Sequence, residues 1–213
     1  MALTKITAGG LADNSVDSDA YVNTSIDAAH LASGVGGSWV KLQSTTASDS
    51  SEVDMETGID STYDVYMITG TSIVSASDQN TLLCRLKIGG SYKTGSSDYS
   101  YHADTSNMAV SWSGVAAEAA SSYMKMSFTD QYSNGDGEDG DFRLYFHDPE
   151  NTSKLKKVYW DGFQNTQNND SRLMQGAGFY TGSSPNAALT GVRFFFNSGA
   201  VASGIFTTYG LTK

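Results

Sequence analysis

"DFRLYFHDPENTSKLKKVYWDGF", residues 141–163, holds two aromatic-rich runs on either side of a stretch of turn formers. "DFRLYFHD" at 141–148 and "KKVYWDGF" at 156–163 each read as a strand, and "PENTSK" between them carries the Pro and Asn that turns favour. The pattern continues to the C-terminus through "QGAGFYTG" at 175–182, "TGVRFFFNSG" at 190–199 and "GIFTTYGLTK" at 204–213. Five strands in succession, with no helical segment between them, point to an antiparallel all-β fold.

Working back toward the N-terminus, "TLLCRLKIGG" at 81–90, "TYDVYMITGTSIV" at 62–74 and "SWVKLQST" at 38–45 read as earlier strands. "SDYSYHAD" places Tyr99 and Tyr101 on one face, and "SYMKMSFTD" at 122–130 sets Met124, Met126 and Phe128 opposite Tyr123, Lys125 and Ser127. Only the Ala-rich "SGVAAEAASS" at 113–122 suits a short helix. About ten short strands without a crossover helix predict a two-sheet sandwich of jelly-roll type. Composition agrees: 22 Gly, 12 Tyr and 9 Phe against 2 Pro in 213 residues favour strands joined by tight turns.

The first 37 residues are different. Ile6, Leu11, Val16, Tyr21, Ile26 and Leu31 are five apart, separated by small and polar residues. A step of five turns successive side chains about 140° around a helix and sends them to alternate faces of a strand, so neither element gains an apolar face. The spacing suits a stalk whose anchors Leu11, Val16, Tyr21, Ile26 and Leu31 pack around an axis shared with other copies; the alternative is a disordered Ser/Asp/Ala-rich arm. "GVGG" at 34–37 marks a hinge, dividing the chain into a stalk or attachment arm, 1–37, and a β-domain, 38–213.

A formal charge of −10 argues against nucleic acid and anionic membrane as partners. The only cysteine, Cys84, lies in the apolar "LLCRLKI", which predicts a buried strand position and permits no intrachain disulfide. "MALTKITAGG" has no apolar signal core, and no stretch is long and apolar enough to insert in a membrane.

"GLADNSVDSDAYVNTSIDAAHLASG" resembles the short decapeptide-type repeats near the N-termini of tailed-bacteriophage fibre and spike proteins. "TGIDSTYDVYMITGTSI" at 57–73 and "LTGVRFFFNSGAVASGIFTTYGL" at 189–211 are similar to segments of compact β-domains in virion structural proteins of such phages, above all the podovirus-type phages of marine cyanobacterial or pelagic hosts. Residues 91–140 resemble none of these. The resemblance implies a homotrimeric fibre or appendage of the virion, held to other particle proteins of tail, neck or capsid by its N-terminal arm, with the β-domain outward.

Few residues suggest chemistry. "NGDGEDGDF" at 134–142 gathers Asp136, Glu138, Asp139 and Asp141 in a Gly-rich loop, yet lacks the Glu that closes an EF-hand, and reads as a solvated hairpin tip with no metal. His30, His102 and His147 are scattered and have no cysteine partners for zinc. No GxSxG elbow occurs, and whether two carboxylates flank a glycan bond is a property of the fold. The chain is therefore read as non-enzymatic and without cofactor. Tyr92, Tyr99, Tyr101 and Trp112 are the candidates for stacking on glycan, against the plainer reading that they fill a core, pair across strands or join subunits. "RFFFNSG" reads as core or interface, and Lys154, Lys156 and Lys157 as the solvated guard of an edge strand. The expected function is structural, with adhesion to host-surface glycan; a free carbohydrate-binding module or a depolymerase spike is the alternative.

Overall fold

The computed structural model describes residues 38–108, 112–127, 132–166 and 170–212. The arm of residues 1–37 lies outside the described residues, and with it the proposed axial contacts Leu11, Val16, Tyr21, Ile26 and Leu31, together with Ile6 and His30. Residues 39–213 form one compact unit.

Thirteen strands are found among the described residues: β1 (Trp39–Ser50), β2 (Val53–Met55), β3 (Val65–Ser75), β4 (Leu82–Ile88), β5 (Ser91–Tyr92), β6 (Tyr99–Asn107), β7 (Trp112–Ser121), β8 (Met124–Lys125), β9 (Gly140–His147), β10 (Lys157–Asn165), β11 (Ser171–Tyr180), β12 (Leu189–Phe196) and β13 (Val201–Leu211). They build an antiparallel sandwich. One sheet has eight strands in the order β1-β13-β3-β9-β10-β11-β6-β7 and the other has β2-β12-β4-β5, with β8 also paired to β4.

Strict alternation decides which side chains meet between the sheets. In β9, Phe142, Leu144 and Phe146 are buried while Asp141, Arg143 and His147 face water. Phe142 and Phe206 from the large sheet meet Phe194 from the small one, with ring centroids 4.9 and 5.4 Å from Phe194. The sheets close on this cluster, where each ring withdrawn from water contributes about 1.5–3 kcal/mol. Nearby, Tyr66 stacks on Phe146 at 5.2 Å. At one corner Gln43, set at a bulge in β1, accepts from Glu56 N (2.8 Å) and Thr57 N (2.9 Å) and donates to Asp54 O (3.0 Å). This one amide ties an edge of the large sheet to the small sheet.

Several expectations need correction. The Ala-rich 113–122 is no helix but strand β7, because its backbone completes the ladder of β6 and its small residues Gly114 and Ala116 tuck inward. Of the segment 122–130 expected as a strand, Met124–Lys125 is strand and residues 128–130, Phe128 among them, lie outside the described residues; Met124 and Met126 are buried as expected, but Ser127 is buried too. β10 is not an edge strand, since it lies between β9 and β11. Lys156 is not solvated either: it is 2% exposed, its stem is buried, and its ammonium donates to the carbonyls of Asn151 and Lys154. Burial lowers the pKa of that ammonium.

Candidate functional site on the outer face of the large sheet

The two outer faces of the sandwich differ in kind. On the small sheet, Arg193 grips Asp54 through Nε (2.7 Å) and Nη2 (2.8 Å), reaches Glu52 at 2.6 Å, and lies 4.0 Å over the ring of Tyr92. Tyr92 in turn donates to Glu56 at 2.8 Å, and Glu56 also holds Lys87 at 2.7 Å. Arg85 covers Phe195 at 4.5 Å. Tyr92 and Phe195 are thus each capped by a cation; Arg193 and Lys87 are ion-paired, and Arg85 Nε donates to Ser122 O at 3.0 Å. It is a closed surface.

The large sheet leaves its outer face open. Register across the strands aligns Tyr209, Met67, Tyr145, Tyr159, Ala177 and His102 in one row. The next row runs Thr207, Thr69, Arg143, Asp161, Gln175 and Asp104. Beyond it lie Phe163 and Leu173, paired across β10 and β11. An aromatic band therefore adjoins a polar band, which adjoins a second apolar band.

Within the first band Tyr145 and Tyr159 stack at 5.1 Å and 14°. His147 continues the stack onto Tyr159 at 5.7 Å and shares a 3.1 Å hydrogen bond with its hydroxyl, while Trp39 closes on Tyr145 at 6.5 Å. The rings hold one another in place, so little rotamer freedom is left to lose when something lies on them. Tyr159 is nevertheless 44% exposed and Leu173 50%. In the polar band Arg143 donates through Nε and Nη2 to Asp161 Oδ2, and this carboxylate raises the guanidinium pKa further. His102 Nε2 lies 3.1 Å from Asp104 Oδ1.

Two depressions flank the stacked tyrosines. One, of about 490 Å³, is bordered by Thr71, Asp141, Arg143, Asp161, Phe163 and Leu173. The other, of about 390 Å³, is bordered by His102, His147, Lys157, Tyr159 and Phe179, with Ala177 as its floor. A small residue between Tyr159 and His102 is what makes the second hollow.

The glycan candidates from sequence do not assemble. Tyr99 (0% exposed) and Tyr101 (4%) are core residues, Tyr92 is engaged beneath Arg193, and the side chain of Trp112 lies outside the described residues. Tyr99 accepts from Leu86 N at 2.9 Å and donates to Lys93 O at 3.1 Å, a structural use of its hydroxyl. Burial pushes this phenol up, as it does that of Tyr132. Phe194 and Phe196 of "RFFFNSG" are buried, whereas Phe195 faces out beneath Arg85. The residues of the open face were missed, although parity marks them: Arg143, Tyr145 and His147 alternate with core residues along β9, and Tyr159, Asp161 and Phe163 do so along β10.

The acidic loop closes on itself. Glu138 accepts from Gly135 N at 2.8 Å and its own amide returns to Gly135 O at 3.1 Å, while Asp141 accepts from Ser72 N at 2.7 Å. Among the described residues no group of three His, Cys, Asp or Glu is placed to hold a metal ion, and no helix is long and apolar enough to cross a membrane. No family model matches the chain, and no curated protein or solved structure matches it.

Proposed function

We propose that the chain is a structural protein of a tailed-phage virion: a homotrimeric fibre or appendage joined to the particle by residues 1–37, whose β-domain faces outward and adheres to the host surface. The work is binding and architecture, not catalysis. The observation that carries the adhesive part is the contrast between the faces, one closed by ion pairs and the other presenting stacked, exposed rings beside hydrogen-bonding side chains. The short N-terminal repeats support the virion and trimer parts through their resemblance to fibre proteins. Both carboxylates bordering the larger depression accept hydrogen bonds within the fold, Asp161 from Arg143 and Asp141 from Ser72, which favours a recognition surface over a hydrolytic pair.

Deleting residues 1–37 tests the attachment: the shortened protein should fold yet fail to join particles during assembly, and incorporation at the level of the intact chain would refute it. Sedimentation of the intact chain at micromolar concentration should give a trimer, and a monomer would remove that part of the proposal.

A further inference from the structure

We infer that the outer face of the eight-stranded sheet binds a neutral, hexose-containing polysaccharide, with a sugar ring lying on Tyr159 and neighbouring residues of the same glycan seated in the two flanking depressions. This names the ligand class for the adhesive reading above and rests on it.

The chemistry of the bands matches that of a pyranose. One face of such a ring is a patch of C–H bonds, which seeks a flat aromatic surface, and its rim carries hydroxyls that each donate and accept. Tyr159, 44% exposed and bordering the hollow over Ala177, supplies the flat surface, and Tyr145 stacks behind it. Beside them, Arg143 donates, Asp161 accepts and Gln175 does both, in one row across adjacent strands. The depressions, about 490 and 390 Å³, fall within the range of small-ligand sites and lie on both sides of the stack, as a chain of sugars crossing it requires.

Charge narrows the class. A protein of net charge −10 repels polyanions, so sulfated or uronic-acid polymers fit less well than neutral ones. The same bands disfavour a second copy of this chain as the occupant. The middle of a protein interface is depleted of charged residues, whereas here Arg143, Asp161 and Asp104 occupy the middle row, and a dry partner would strip their water. A glycan leaves them wet.

The test titrates the intact chain, by calorimetry, with cellohexaose, maltohexaose, chitohexaose and mannohexaose, and with dextran against dextran sulfate. At least one neutral saccharide should bind in the millimolar range or tighter. Tyr159→Ala should weaken it about tenfold or more and Arg143→Gln severalfold, with circular dichroism unchanged, while Tyr92→Phe on the opposite sheet should leave it unaltered. Absence of binding by every neutral probe overturns the inference, as does binding that ignores both Tyr159→Ala and Arg143→Gln, or preference for dextran sulfate over dextran. Loss of the trimer in Tyr159→Ala, without saccharide binding by the intact chain, would assign the face to a second copy; the glycan would fall while the appendage reading stood. Saccharide binding by a chain that never enters particles would do the reverse.

Discussion

Gly176 offers a sharp test of how the large sheet is packed. It lies opposite Trp160 in the β10–β11 ladder, and Trp160 is 2% exposed, with Nε1 donating to Met126 O at 2.7 Å. A methyl group placed on Gly176 would come within 2.5 Å of Trp160 Cε2 and 2.6 Å of His102 O. The carbonyl belongs to the β6 ladder and cannot retreat without opening it, so the indole must move and its hydrogen bond to Met126 must stretch. Overpacking costs about 1–3 kcal/mol and the disturbed hydrogen bond about 1 more. Gly176→Ala should therefore destabilise the domain by about 2–4 kcal/mol, which in a domain of this size lowers Tm by roughly 5–15 °C. Urea and thermal melts of Gly176→Ala, Trp160→Leu and the double variant separate the causes. Removing the indole should relieve at least about 1 kcal/mol of the alanine's cost, as a coupling energy in the cycle. Additive effects, or a Gly176→Ala variant as stable as its parent, would refute the account of the Trp160 site.

Other outcomes follow from buried groups and from the acidic loop. Tyr132 is fully buried and its hydroxyl has no hydrogen-bond partner among the described residues, so Tyr132→Phe should be neutral or stabilising by up to about 1 kcal/mol, whereas Tyr99→Phe, which orphans Leu86 N, should cost about 1–2 kcal/mol in the same urea melts. Burial raises the Tyr99 and Tyr132 phenols above the unfolded value of 10.0, so the folded state keeps protons that the unfolded chain loses; their contribution is complete below pH about 10 and drains away above it, by about 1.4 kcal/mol per pH unit for each phenol, and alkaline melts of the parent and Tyr99→Phe should show that slope reduced in the variant. Cys84 is fully buried and burial holds its thiol well above the usual range, so a thiol reagent should label it only at the rate of unfolding; labelling of the folded protein within mixing time would contradict that position. Chelation should leave Tm unchanged, since Glu138 and Asp141 already accept backbone hydrogen bonds, and a fall would indicate a bound cation at the 134–141 loop.

Strand existence was legible because parity is a local signal. "DFRLYFHD" and "KKVYWDGF" are strands β9 and β10 within a residue or two of their expected limits. What parity leaves open is which set of alternate residues faces inward. Tyr99 and Tyr101 do share a face, but it is the inner one, a choice made by the five-stranded sheet above them and not by their own segment. The Ala-rich 113–122 shows the opposite limit: a local preference for helix yields to hydrogen bonds that only β6 can supply. Lys156 departs from the solvated place its charge suggests because its long alkyl chain buries while the ammonium finds two carbonyls in the turn before β10. The open face is spread over strands drawn from 65–211, so no single stretch announces it, and only the register brings Tyr145 against Tyr159 and Arg143 against Asp161.

The place of β13 governs the order in which the fold can be reached. This strand is made last of the thirteen, yet it inserts between β1 and β3, the first and third. Trp39 meets Leu211 and Val65 meets Leu211 on its other side, so β1 and β3 cannot complete their ladders until residues 201–211 have been made. The hairpins β4–β5 and β6–β7 and the meander β9-β10-β11 can pair as they emerge, but the ladders that join β13 to β1 and β3 close the longest loops and come last, which makes this step of folding slow. A chain cut short before residue 201 would leave β1 without its hydrogen-bonded neighbour and one flank of β3 bare, an unpaired and aggregation-prone pair of strands. The fold thereby inspects its own translation: a product lacking its final strand has no native state to reach, and such products should be recovered in aggregates or degraded, never as soluble protein.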